Sequence, residues 1–225
     1  MIINYGKYIL PLFAAIHENE KSSIIVKFLG CSFFINNSGQ IATCAHVVKS
    51  IQDDEYVVAK YFESNKFYKL YDIRVHPKHD FATANLKIDN KDFFPFYIDD
   101  ILICMDVGTF GFTAAGIDKK NNVKLDARFL KGYISRIADN FENLPNGTEA
   151  LETSFPSLAG FSGSPIISSG KVVGMLFNNY ESQVIVHSYS EVVDENERFS
   201  EKITKIVEMG LAYTSKTILR CLQQF

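Results

Sequence analysis

The stretch "GFSGSPII", Gly160 to Ile167, decides how the chain is read. Glycine, serine and proline ahead of a hydrophobic pair make a turn leading into a strand. The same letters also fit a serine in a tight bend, with its hydroxyl exposed and main-chain amides gathered around it. A serine hydroxyl is a weak nucleophile and needs a base within hydrogen-bond reach. Ser162 therefore has chemical meaning only if a base, and an acid to orient that base, occur elsewhere in the chain.

Five histidines can be tried. His17 and His187 lie in apolar or alternating stretches, and His76 and His79 share the loop "HPKHD". His46 closes "IATCAHVV", where a hydrophobic run passes into small residues that let a second segment and a substrate come close. It is the best base. For the acid, Asp80 precedes Ala82, Ala84 and Leu86, and strand alternation would turn it inward, which is costly unless it is paired. Asp72 in "YDIRV" competes but reads as a solvated strand position.

The surrounding chain is mostly short apolar runs between turn signals, the pattern of a sandwich or barrel. "YILPLFAAI" (Tyr8–Ile16) reads as a first core strand rather than a signal peptide, because only Lys7 precedes it and "HENEKSS" follows it. Asn36 to Gly39 turn a hairpin, and Gly170-Lys171 another. Residues 91–104 read as a linker, dividing the chain into 1–95 with His46 and Asp80, and 96–225 with Ser162. Late in the chain, Phe199, Ile203, Ile206 and Val207 in "DENERFSEKITKIVEM" fall on one helical stripe that Gly210 would end. "SKTILRCLQQ" is a final helix over 215–224, capped by Thr214 or Ser215, with Ile218, Leu219 and Leu222 inward.

With 47% hydrophobic and 22% charged residues the chain is an ordinary globular protein. A net charge of -3 gives no footprint for nucleic acid or an anionic membrane. No stretch reaches the roughly 18 apolar residues of a membrane span. Cys31, Cys44, Cys104 and Cys221 are too dispersed for a zinc motif and read as buried, reduced thiols of a cytoplasmic protein. No metal or organic cofactor is called for.

His46, Asp80 and Ser162 in that order carry a family resemblance. "IATCAHVV" resembles the T-A-A-H segment of trypsin-like, chymotrypsin-fold serine peptidases, "HPKHDFATANL" their H-P-x-x-D-h-A-x-h-x-L segment, and "GFSGSPI" their G-x-S-G-[GS]-P. "GCSFFINNSGQIATCAHVV" is similar to the opening of bacterial members, "GKVVGMLFNN" to the strand that pairs with a bound peptide, and "GLAYTSKTIL" to the last strand and helix.

The resemblance implies an all-β fold of two antiparallel β-barrels with the active site between them, a late inserted helix and a C-terminal helix. Residues 180–209 become an insertion before the last strand. Ser162 would be the nucleophile, His46 the general base, Asp80 its orienting acid, and the amides of Gly160 and Ser162 the oxyanion hole. Ser157, Leu158, Phe177, Asn178, Asn179 and Leu211 would line the substrate pocket; the absence of charge there suggests a small or apolar residue at the cleavage site. Phe161 stands where zymogen-activated members have an aspartate, and Val47 where secreted animal members have a disulfide cysteine; both point to the bacterial branch. The function implied is a serine endopeptidase acting on a protein or peptide through an acyl-enzyme. Latency until triggered by a regulatory partner, with control at the insertion and a role in stress or defence, would suit a lone domain. The alternative is a non-catalytic binding or scaffold module with a vestigial triad.

Overall fold

The computed structural model describes residues 5–19, 22–89, 92–117, 123–139, 141, 144–194 and 197–225. Seven strands build the first half: β1 (Ile9–Asn19), β2 (Ser22–Phe34), β3 (Gln40–Thr43), β4 (Tyr56–Tyr61), β5 (Lys66–Lys69), β6 (Tyr71–Val75) and β7 (Ala82–Asn85). They form one sheet in the order β5-β4-β1-β2-β3-β7-β6. The β3–β7 pairing sets Thr43 opposite Ala82, so the segments just beyond, carrying His46 and Asp80, leave the sheet side by side. A short helix, α1 (Ala45–Lys49), starts immediately after β3.

The second half contributes β8 (Asp106–Ile117), β9 (Val123–Ala138), β10 (Ala150–Thr153), β11 (Pro165–Ser168), β12 (Lys171–Asp194) and β13 (Glu197–Thr214). These close into a barrel, β10-β13-β12-β11-β8-β9. The bend with Ser162 lies just before β11, at the mouth of this barrel. The described part of the segment before β8 forms no strand: Phe96 bridges Val172, and the Cys104 amide donates to the Ile134 carbonyl at 2.8 Å. Its apolar Ile98 and Leu102 stay exposed.

Alternating apolar side chains fill both halves. Phe33, Phe34, Ile41 and Phe81 are fully buried in the first. Ile134, Leu151, Phe161, Ile166 and Leu176 form the barrel interior. The larger cluster runs across both halves, joining Cys31 and Val47 to Phe112, Met175 and Tyr213, so the two sheets share a core.

One expectation is overturned. The inserted helix does not form: its residues lie in β13, paired antiparallel with β12 out to Asp194 opposite Glu197. Residues 195 and 196 lie outside the described residues. The spacing of Ile203, Ile206 and Val207 is that of a helix, but β-branched residues fit a pleated ribbon better than a helix. The ladder with β12 decides it, with Ile203 opposite His187, Ile206 opposite Gln183 and Val207 opposite Ser182. The final helix, α2 (Ser215–Leu222), does form, and Thr214 caps it by accepting from the Thr217 amide at 3.2 Å. Ile218 is buried, and Leu219 and Leu222 are half-buried. No described helix is long and apolar enough to cross a membrane.

Candidate active site

Asp80 holds His46 with both carboxylate oxygens. Oδ2 lies 2.6 Å from His46 Nδ1, and Oδ1 accepts the His46 amide at 2.8 Å. An ionised carboxylate only accepts, so Nδ1 carries a hydrogen, and in the neutral imidazole Nε2 is the acceptor. Burial pushes the Asp80 carboxyl up, but the bonds from the His46 side chain and amide, with the Ala45 amide, outweigh it and hold the group below its ordinary value. Asp80 sits in the bend before β7 rather than in the strand, so turn geometry, not strand alternation, aims its carboxylate.

That bend is braced from the barrel. The Asp80 amide donates to the Tyr213 hydroxyl at 3.0 Å, and the Tyr213 ring stacks on Phe177 with centroids 4.2 Å apart. Tyr213 was not legible as a site residue: it belongs to β13, 133 positions away, and only the pairing of the two halves brings it near.

The serine bend is fixed on both flanks. The Cys31 amide donates to the Ser162 carbonyl at 2.9 Å, the Gly163 amide to the Leu176 carbonyl at 2.8 Å, and the Ser164 amide to the Phe161 carbonyl at 2.8 Å. Phe161 anchors the bend as a fully buried barrel side chain. Gly163 has φ +88°, and a Cβ there would lie 2.1 Å from the Cys31 carbonyl oxygen. Leu158 to Phe161 make a turn closed by a 2.8 Å bond from the Phe161 amide to the Leu158 carbonyl. Gly160 at its third position has φ +97°, which makes the turn type II. Among the described residues no acceptor meets the amides of Gly160 or Ser162. Cys31 also donates its thiol to the Gly160 carbonyl at 3.1 Å, while its sulfur accepts the Phe112 amide at 3.3 Å.

His46, Asp80 and Ser162 line one cavity of about 730 Å³. All six expected pocket residues, Ser157, Leu158, Phe177, Asn178, Asn179 and Leu211, line it as well. Gly160 flanks a neighbouring groove with Phe28 and Arg128. Ser162 Oγ and His46 make no hydrogen bond to each other, a contact that often tightens only when substrate arrives. Asn179 closes one wall by clasping Ser157: its Oδ1 accepts the Ser157 amide at 2.6 Å, and its Nδ2 donates to the Ser157 carbonyl at 3.0 Å. Sequence reading missed two charged groups on the cavity wall, Lys78 and Glu181.

The other singled-out groups are accounted for. Asp72 is exposed, and His17 stacks on Tyr56. His76, read as a loop residue without partners, is buried: its Nδ1 accepts the amides of Lys78 and His79, and its Nε2 lies 2.9 Å from Gln224 Oε1. His79 and Cys221 lie close to it, but both His76 nitrogens are already engaged, so the trio reads as a hydrogen-bonded core. All four cysteines are free; Cys31, Cys44 and Cys221 are buried, whereas Cys104 is exposed, contrary to expectation. Burial raises the Cys31 thiol to about 11, so it stays protonated and acts as a donor.

Comparison with known proteins agrees with this arrangement. No curated relative matches the chain in sequence. Among solved structures, the HtrA-type protease AlgW, bound to a decapeptide, superimposes with a TM-score of 0.64 at 14% identity; the match covers 97% of this chain and 64% of that one. Thus the chain spans less than two thirds of that protein. The Rv3671c protease of M. tuberculosis in its active form gives 0.58 at 15% identity, covering 97% of this chain and 80% of that one. Its inactive form gives 0.57 at 15%, covering 97% and 89%. These likenesses establish the chymotrypsin-like fold. Residues 30–175, more than half of the chain, match the trypsin-like peptidase domain, and the chain belongs to that family of serine hydrolases.

Proposed function

We propose that the protein is a serine endopeptidase working through an acyl-enzyme, with His46, Asp80 and Ser162 as its triad. The observation that carries this reading is the two-point grip of Asp80 on His46, on a cavity whose wall also bears Ser162. In the first step Ser162 Oγ bonds to the scissile carbonyl carbon while its proton passes to His46 Nε2. The carbonyl oxygen becomes an oxyanion, and the amides of Gly160 and Ser162 donate to it. The C–N bond then breaks as His46 returns the proton to the leaving amine. Water, deprotonated by His46, attacks the ester and releases the acid. Asp80 stays ionised throughout, holding the tautomer and balancing the imidazolium.

A peptide or protein substrate is supported by the family and by the decapeptide bound to AlgW. The apolar walls Leu158, Phe177 and Leu211 favour a small or apolar residue at the cleavage site. Because Ser162 and His46 are not bonded to each other, we also infer a resting form that substrate or a regulatory partner brings to full activity. The four free thiols support a reducing, cytoplasmic setting, and a bacterial-type enzyme with a dedicated stress or defence role is part of the same proposal.

Covalent labelling with a fluorophosphonate probe tests the central claim. The wild type should take up one probe per chain in the presence of a cleavable peptide or activating partner, and Ser162→Ala should take up none. Labelling that survives in Ser162→Ala would sink the assignment. No labelling, together with retained peptide binding, would favour the non-catalytic module.

A further inference from the structure

Strand β12 leaves the barrel with one edge uncovered. Along one side it pairs with β13 from Gly174 to Asp194, but on the other it meets β11 only from Lys171 to Met175. Leu176 is then tied by its main chain to Ser164 and Gly163. Beyond it, no described strand pairs with that edge.

The register shows which groups face outward. The Gly210 amide donates to Phe155, away from β12, so Gly210 and its partner Asn179 are a non-hydrogen-bonded pair. The N–H and C=O of Asn179 therefore point to the free edge. Pairing stays regular to Ile185 opposite Thr204, which puts the main chains of Glu181, Gln183 and Ile185 on the same edge. This row starts inside the catalytic cavity, which Asn179 and Glu181 line, and runs on for about 20 Å.

An open edge of this length is a pairing template that folded proteins ordinarily protect. We propose that it is an extended docking strand for the substrate itself, which adds alongside β12 as an antiparallel strand well beyond the residues next to the scissile bond. This rests on the peptidase reading. The occupant follows from continuity: only a chain entering the cavity can meet the first rungs beside Asn179. It is the segment N-terminal to the cut, because the leaving amine must exit beside His46, on the other half of the molecule. The surface also states what that segment carries. Glu181 and Glu208 stand directly opposite each other, with Glu208 accepting from Asn179 Nδ2 at 3.1 Å, and the negative charge they place beside the edge complements a lysine or arginine on the substrate. On the other face Tyr180 and Val184, 40% and 49% exposed, offer apolar contact. The ligand class is an extended, basic and apolar polypeptide.

The test takes the best-cleaved member of a proteome-derived peptide library and shortens it from ten to four residues on the N-terminal side of the cut. In the wild type kcat/KM should fall at least tenfold, since two or three hydrogen bonds are lost at about fivefold each. Gln183→Pro removes an outward N–H without breaking the β12–β13 ladder. It should cleave the long peptide no better than the short one, while short-peptide cleavage and fluorophosphonate labelling stay as in the wild type. Independently of any variant, methylating the peptide nitrogens one at a time, five to eight residues before the cut, should lower kcat/KM at alternate positions only. Equal rates for long and short peptides, a uniform methylation series, or a wild-type dimer that Gln183→Pro dissociates would overturn the proposal while leaving the peptidase intact. Absence of both labelling and cleavage would sink the peptidase reading, and this inference with it.

Discussion

Replacing Gly160 by alanine probes the oxyanion turn most directly. At φ +97° an alanine is strained by about 1–2 kcal/mol. Its Cβ would lie 2.4 Å from Phe28 Cε1 and 2.6 Å from the Phe112 carbonyl oxygen. The phenyl ring can swing aside, but the carbonyl cannot, because Phe112 is locked in the β8–β9 ladder opposite Ala127. The turn must yield instead. The nearby alternative is type I, with φ near −90° at this position, which reverses the central peptide and with it the direction of the residue-160 amide. One oxyanion donor is then lost, and kcat should fall about 10²–10³-fold with KM little changed. The expected folding cost is about 1–3 kcal/mol, roughly 2–4 °C in Tm for each kcal/mol. The assay is steady-state cleavage of a library-derived peptide beside the rate of fluorophosphonate labelling, which should slow in parallel. A Gly160→Ala protein with lowered Tm but kcat within threefold of wild type would refute this reasoning and remove Gly160 from the oxyanion hole.

Three other outcomes are expected. Tyr213→Phe strips the acceptor from the Asp80 amide, so stability should drop by about 1–3 kcal/mol in urea titration and kcat should fall several-fold at constant KM. Cys31→Ser keeps a donor to the Gly160 carbonyl and should retain near-wild-type kcat, whereas Cys31→Ala should lose about five- to tenfold; equal rates for the two would show that the thiol does not position the turn. Asp80 has a folded pKa below its ordinary 3.8, so its ionised form stabilises the fold above that value and the contribution is lost as pH falls through the folded pKa. The Tm advantage of wild type over Asp80→Asn should therefore shrink as pH falls below about 4.

Much of the site was legible because its chemistry is local. Small residues before His46, the Asp80 turn and the Gly-Ser-Gly bend each require particular residue types within a few positions. The late ribbon was not legible. In "EKITKIVEM" the apolar spacing is that of a helix, and the strand is imposed by pairing with Ser182–His187, some twenty residues earlier. Nor could a local pattern reveal that Tyr213 would brace Asp80, or that the Cys31 thiol would reach Gly160 across 129 positions.

By itself, then, the sequence determined the chemical inventory: a base, an acid and a hydroxyl in order, with glycines where the main chain must turn left-handed. Tertiary structure alone decided their engagement. It put both oxygens of Asp80 on His46, left the Gly160 and Ser162 amides without acceptors, and left Ser162 unbonded to His46. It also opened the edge of β12 beside them. The reason is physical: residue types and turns answer to neighbours in the chain, whereas hydrogen-bond partners and strand edges depend on which distant segments pack together.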